Sequence, residues 1–223
     1  TLLRIGRYYA LHTNGQTRKG YTLGQDDFKS WKPGVNNDED VVKALHKLFD
    51  EADIVVGHNG DGYDIKKVNA RMIFHKLKPP SPFRTVDTLK VARKVAGFSS
   101  NKLANLVEQL DLGKKMDAGG IDVLKGVLKG VKKDWKHLKE YNKMDVVILE
   151  RLYYELLPWM TNHPSLAVLN DQPDACPKCG STNLRKGGFY ITKTGKYKRY
   201  QCLSCSGWTH GRKKYPLDVK YVD

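Results

Sequence analysis

Residues Ile54 to Asn69 read IVVGHNGDGYDIKKVN. Three β-branched apolar residues run into Gly57, His58, Asn59, Gly60, Asp61, Gly62, Tyr63 and Asp64, and a helical pattern begins at Ile65. A short apolar run bounded by turn residues and followed by a helix is the mark of a buried strand in an α/β layer. Such a strand would end at the rim of its sheet, with Asp64 set where the loop enters the helix. Asp at that junction also suits a helix N-terminus, so both a structural and a chemical role are open.

Upstream, Leu2 to Thr13 and Tyr21 to Phe28 are apolar and aromatic runs separated by a segment with Asn14-Gly15, which reads as an antiparallel hairpin. Asn36 to Asp40 is expected to cap a helix carrying Val41, Leu45, Leu48 and Ala52 on one face. Downstream, Ile65 to Leu77 is a helix stopped by Pro79-Pro80, and Thr85 to Ala96 is expected to be another, with Asp87 near its start. Ser99-Ser100-Asn101 caps a further helix with a stripe of Leu103, Leu106, Val107 and Leu110. Gly113 to Val131 is rich in Gly and Lys and has no clear period; a short helix with mobile ends is expected there. A long helix spans about Asp134 to Leu157, and Pro164 to Asp174 turns loop-like. Strands first, then a strand among helices, gives an α/β fold with a mixed sheet flanked by helices.

The chain carries a formal charge of +15 and a sequence pI of about 9.6, so a polyanion is the first partner to expect. No apolar run reaches the roughly 18 residues of a membrane span and no signal peptide opens the chain, which leads us to expect a soluble, cytoplasmic protein.

All four cysteines lie near the C-terminal end, Cys176 and Cys179 in CPKCGS and Cys202 and Cys205 in YQCLSCSGW. Two C-x-x-C pairs around a strand-turn-strand segment supply four thiolates, the closed set of a structural Zn²⁺ site. Two disulfides or a redox pair are the competing readings, both poor for a cytoplasmic chain. The module, roughly Ala175 to His210, resembles a zinc ribbon. Lys193, Lys196, Lys198 and Arg199 interleave with Phe189, Tyr190, Tyr197 and Tyr200, the pattern of a surface that holds phosphates and stacks bases, or of a small core rimmed by solvated lysines.

In the long helix, Leu138, Tyr141, Asp145, Ile148 and Leu152 recur at three- and four-residue spacing, which puts Asp145 inside an apolar stripe. A carboxylate there needs a cation or donors. The order N-x-x-x-Y-D (Asn59 to Asp64), a long interval, and Y-x-x-x-D (Tyr141 to Asp145) resembles the second and third motifs of the DEDDy 3′-5′ exonucleases, within the ribonuclease H-like superfamily that includes polymerase proofreading domains. The likeness spans about Leu2 to Trp159. It is nearest to exonuclease-like proteins of phages and bacteria, on Gly57 to Gly60, Asp87 to Arg93 and Ser100 to Leu103.

The resemblance implies residues 1–163 as the nuclease domain and 175–215 as the ribbon. It implies a pair of Mg²⁺ or Mn²⁺ ions, held by Asp64 and Asp145, that hydrolyse the terminal phosphodiester of a nucleic acid, DNA before RNA. Tyr141 would orient the attacking water, and Asn59 and Tyr63 would line the terminal-nucleotide pocket. Apart from the resemblance, Lys102 near a helix start is read as either a phosphate contact or a solvated lysine, and Lys198 and Arg199 as the ribbon cations that would touch phosphate. His58 and His75 are expected to be supporting or surface groups.

The sequence departs from the pattern at the first motif, an Asp-x-Glu on a central strand, because no acid precedes Asp26. Asp26-Asp27 and Asp38-Glu39-Asp40 read as a strand end and a helix cap. The simplest expectation places the missing strand upstream of Thr1. The alternatives are a non-catalytic nucleic-acid binder that keeps the fold, and a ribonuclease H-like endonuclease.

Overall fold

A computed structural model describes residues 8–13, 18–35 and 37–216. They divide into two compact units, one up to Tyr153 and one from Tyr154 onward.

The first unit opens with the antiparallel pair β1 (Tyr8–Thr13) and β2 (Arg18–Leu23), in register from Tyr8 opposite Leu23 to Thr13 opposite Arg18. The hairpin turn itself, Asn14-Gly15, lies outside the described residues. Helix α1 (Glu39–Glu51) follows, its Glu39 amide donating to Asn37 Oδ1 at 3.0 Å. The Asp38 carboxylate does not cap; it turns inward to Arg71 and His75. The amphipathic face of α1 packs on α2 (Ile65–Phe74), where Val42, Leu45, Val68 and Met72 make one apolar cluster.

Strand β3 (Ile54–Gly57) pairs in parallel with β4 (Arg84–Asp87), Gly57 opposite Asp87. The expected helix from Thr85 is therefore corrected: Thr85 to Asp87 belong to a strand, and helix α3 (Thr88–Val95) starts one residue later. The chain changes state at Asp87, whose side chain accepts the Leu89 amide and so caps α3. Helices α4 (Leu103–Gln109) and α5 (Gly120–Leu128) follow, the latter inside the segment that lacked a readable period.

Helix α6 (Lys132–Leu156) buries Trp135, Leu138, Ile148 and Leu152 on one stripe. Trp31 meets Trp135 edge-on, with ring centroids 5.5 Å apart, beside Val127 and Leu138. Burying a side chain such as Ile148 contributes about 2 kcal/mol, so this stripe anchors Asp145 and Tyr141 to the core.

In the second unit a 3₁₀ turn (Leu157–Trp159) takes over from α6 at Pro158, whose ring cannot continue an α-helix. A one-turn helix, α7 (Leu166–Leu169), is capped by Ser165 inside the segment expected to be loop. The ribbon follows as β5 (Leu184–Thr192), β6 (Gly195–Cys202) and β7 (Trp208–Lys214), an antiparallel sheet with β6 in the centre. The third strand had no counterpart in the sequence reading.

Candidate active site and metal centre

At the carboxyl ends of β3 and β4 a cleft of about 280 Å³ opens, the end of a parallel sheet where ligands bind in α/β folds. Four acids line it: Asp61, Asp64, Asp87 and Asp145. Each is held differently.

Asp87 is 5% exposed and is consumed by the backbone: Oδ1 accepts the amides of Asn59 (2.9 Å) and Leu89 (3.0 Å), and Oδ2 that of Asp61 (3.3 Å). It shapes the loop and has little capacity left for a ligand. Asp61 pairs with Lys90 at 2.6 Å. Against the cost of burial, Lys90 and Thr85 hold the Asp61 carboxyl below its ordinary range.

Asp64 closes a π-helical turn (Gly60–Asp64) that runs into α2. Its side chain caps nothing. Loss of hydration, followed by the charge of Asp87, pushes its carboxyl above the ordinary range. The wide turn is entered by Asn59 in the left-handed conformation, φ 63°, and a side chain on Gly57 would press its Cβ to 3.2 Å from the Gly60 backbone.

Asp145 projects from α6 with Oδ1 sealed from solvent and without a hydrogen-bond partner among the described residues. Its Oδ2 lies 3.3 Å from Lys115 Nζ, which also sits 5.3 Å from the centre of the Tyr141 ring. Burial works to lower the Lys115 pKa, but the Tyr141 hydroxyl and the Asp145 charge outweigh it and raise it, so the group is an ammonium.

His58, also in the cleft wall, is fastened on both sides: Nε2 donates to Asn101 O at 3.0 Å, and Nδ1 pairs with the Thr88 hydroxyl at 2.9 Å. Burial draws its pKa down. His75 is engaged with Asp38 at 2.7 Å.

A family model described as the RNase_H superfamily matches residues 20–157. The chain belongs to the RNase_H superfamily. No curated protein matches it. Membership points to hydrolytic nuclease chemistry on nucleic acid, with divalent metal as the usual helper, and it places the match over the unit that holds the cleft.

The sequence-named residues of this RNase_H domain divide. Asp64 and Asp145 face one cleft, and Tyr141 stands beside Asp145 through Lys115. Asn59 and Tyr63 are not among the residues that line it: Asn59 gives its amide to Asp87, and Tyr63, 37% exposed, lies under Lys67 at 5.6 Å. Lys102 is an exposed residue at the start of α4. The upstream acids are spoken for: Asp26 and Asp27 both bind Lys139, at 2.8 and 2.7 Å, and Asp38 binds Arg71. Lys115 and Asp61 were missed by sequence reasoning. Lys115 falls in the Gly- and Lys-rich stretch with no local signal, whereas Asp61 could have been found as a second acid in the GDGYD loop.

The donors of the cleft fit a hard cation. Among the described residues Asp145 Oδ1 is a buried oxygen without a partner, Asp64 has only its own backbone amide to compensate it, and Mg²⁺ ordinarily takes one or two carboxylates, with waters and substrate phosphate completing its shell.

The cysteines form a second centre. Sγ of Cys176, Cys179, Cys202 and Cys205 all lie within 4.8 Å of one another, with Cys176 to Cys205 at 3.8 Å and Cys179 to Cys202 at 3.5 Å. Tetrahedral Zn–S bonds of about 2.3 Å imply sulfur edges of about 3.8 Å, so the cluster fits Zn²⁺. No disulfide joins them. Each pair is followed by a left-handed residue, Gly180 (φ 76°) or Ser206 (φ 61°), which turns backbone amides toward sulfur. Burial pushes the Cys179 thiol up, while at Cys202 the Cys205 and Ser204 amides overcome burial and draw the thiol down to about 7.

The two ribbon cations named from sequence lie on opposite faces. Lys198 covers Phe189 at 4.5 Å, and Arg199 covers Trp208 at 4.6 Å.

Proposed function

We propose that the chain is a metal-dependent 3′-5′ exonuclease that hydrolyses terminal phosphodiesters of nucleic acid, DNA before RNA. The observation that carries this reading is the meeting of Asp64 and Asp145 in one cleft at the carboxyl ends of β3 and β4, Asp145 with a buried oxygen that has no partner among the described residues. Asp64 and Asp145 are the residues that would hold divalent cation, whose chemistry is to generate a nucleophile from water and to neutralise charge on the phosphate.

The chain's own groups do the rest. Asp87 fixes the loop that carries Asp64 by accepting the Asn59 and Asp61 amides, and ties it to α3 by accepting that of Leu89. Tyr141, joined to Asp145 through the Lys115 ammonium, is the residue that would orient water. Phe49, Leu103 and Leu149 give the cleft an apolar wall against which a base can rest, in a volume near the low end for ligand pockets. In the second unit the four cysteines would hold a structural Zn²⁺, which would fix the ribbon.

One observation favours a second reading, a nucleic-acid binder without cleavage: Lys115 already neutralises Asp145, and the acids nearest the chain start bind Lys139 instead of entering the cleft. The test is a pair of substrates with Mn²⁺, a 5′-labelled linear single strand and a closed single-stranded circle. A ladder shortening from the 3′ end with the circle intact supports the exonuclease. Cutting of the circle makes the chain an endonuclease, and binding of both without cleavage makes it a binder.

A further inference from the structure

Between Ala175 and Pro216 the chain has ten Lys or Arg residues and no Asp or Glu. The three-stranded sheet built from this segment exposes large planar side chains. Tyr190 and Trp208 are 45% and 44% exposed. Cross-strand partners share a face, so the register sorts these groups.

Tyr190 pairs with Tyr197, Arg199 with His210, and Gln201 with Trp208, which puts all six on one face. There the Tyr190 and His210 rings lie parallel, 5° between planes and 4.4 Å between centroids. Beside them the Arg199 guanidinium lies 4.6 Å from the Trp208 ring centre, pinned by its Nε donating to Gly187 O at 2.9 Å. Neighbouring same-face positions along a strand are about 7 Å apart, so this is a continuous surface of flat groups.

The opposite face is different. Its aromatics Phe189 and Tyr215 pack edge-on to one another at 5.0 Å and are covered by the Lys196 and Lys198 ammonium groups at 4.5 to 5.6 Å. On that face lysine ammonium groups lie over both aromatics, whereas on the first the Arg199 guanidinium covers one side of Trp208, His210 stacks on Tyr190, and both rings stay nearly half exposed.

We propose that the Tyr190, Arg199, Trp208 and His210 face is a stacking platform for the bases of single-stranded nucleic acid. Every base has a π-face, so flat, exposed rings on a module with cations only suit an unpaired strand without sequence preference. A duplex hides its base faces and would be held by charge alone. The inference rests on the nucleic-acid reading of the chain but not on its chemistry: loss of cleavage with stacking intact would remove the nuclease and leave the platform.

The experiment uses the full, zinc-loaded chain in buffer without Mg²⁺ or Mn²⁺. Binding of a short labelled oligothymidine is measured for the wild type, Tyr190→Leu, Trp208→Leu, Trp208→Phe and Ile191→Ser, the last altering a 76%-exposed residue on the other face. Zinc content and far-ultraviolet circular dichroism report that each variant is folded. Tyr190→Leu and Trp208→Leu are each expected to weaken binding by about tenfold. Trp208→Phe and Ile191→Ser should stay near wild type, and the single strand should quench tryptophan fluorescence in the wild type but less in Trp208→Phe. Wild-type affinity in both leucine variants, an equally tight duplex of the same length, or no binding at all would each overturn the platform.

Discussion

Lys115 Nζ lies 3.3 Å from Asp145 Oδ2, a tethered ammonium on the carboxylate that a catalytic cation would need. Its position explains how Asp145 is tolerated in the apolar stripe of α6, since a half-buried carboxylate needs a countercharge. It also places a competitor at the metal locus. Lys115→Met is therefore expected to tighten Mn²⁺ binding by roughly two- to fivefold, the range expected for a partly solvated ion pair, as read by Mn²⁺ electron paramagnetic resonance. Unchanged affinity would show that the ammonium does not compete.

Asp64 gives a pH signature. Its pKa is raised, by lost hydration first and by the Asp87 charge second, so the protonated form persists to higher pH than for an ordinary carboxyl. A raised acid pKa costs stability above that pKa and costs nothing below the unfolded value of about 3.9. Asp64→Asn should therefore raise the melting temperature slightly at pH 7, leave it unchanged near pH 3, and abolish Mn²⁺ binding in the cleft. A lower melting temperature at pH 7 would mean that Asp64 supports the loop.

Asp38 behaves in the opposite sense. Against its burial, Arg71 and His75 hold the carboxyl below 3.8, with His75 Nε2 2.7 Å from Oδ1. A depressed acid pKa contributes stability above the unfolded value that is lost as pH falls through the folded one. Asp38→Asn should lower the melting temperature at pH 7, and the difference from wild type should shrink below pH 4. A constant difference across that window would show that packing, and not charge, sets the effect.

Asp87 is the keystone of the loop, and its removal would strand three amides. Asp87→Ala is expected to cost about 3 kcal/mol in urea unfolding, with Asp87→Asn milder because one oxygen still accepts. A loss below about 1 kcal/mol would contradict that role.

How legible all this was depends on what each residue shows locally. The four cysteines announce their geometry by spacing alone, and Asp145 stands out because a charge interrupts a helical stripe. Thr85 to Asp87 reads as helix because a four-residue strand, exposed at Arg84 and Thr85 and buried at Val86 and Asp87, joins a helix through one capping acid without alternation, so that TVDTLKVA looks like one helix. Strand β7 is polar and contains Gly211, so only its pairing with β6 makes it a strand. Asn59 and Tyr63 were assigned to the pocket by motif, whereas the π-helical turn directs Asn59 to Asp87. Lys115 lies 30 residues before Asp145, in a segment without period, and only the fold brings the two together.

The most direct test of the central claim is Mn²⁺-dependent digestion of a 5′-labelled single-stranded oligonucleotide by the wild type beside Asp64→Ala and Asp145→Ala. Shortening from the 3′ end by the wild type is expected, with cleavage lost by roughly a hundredfold or more in both variants. Cleavage at the wild-type rate in either variant, or none in the wild type, would contradict it.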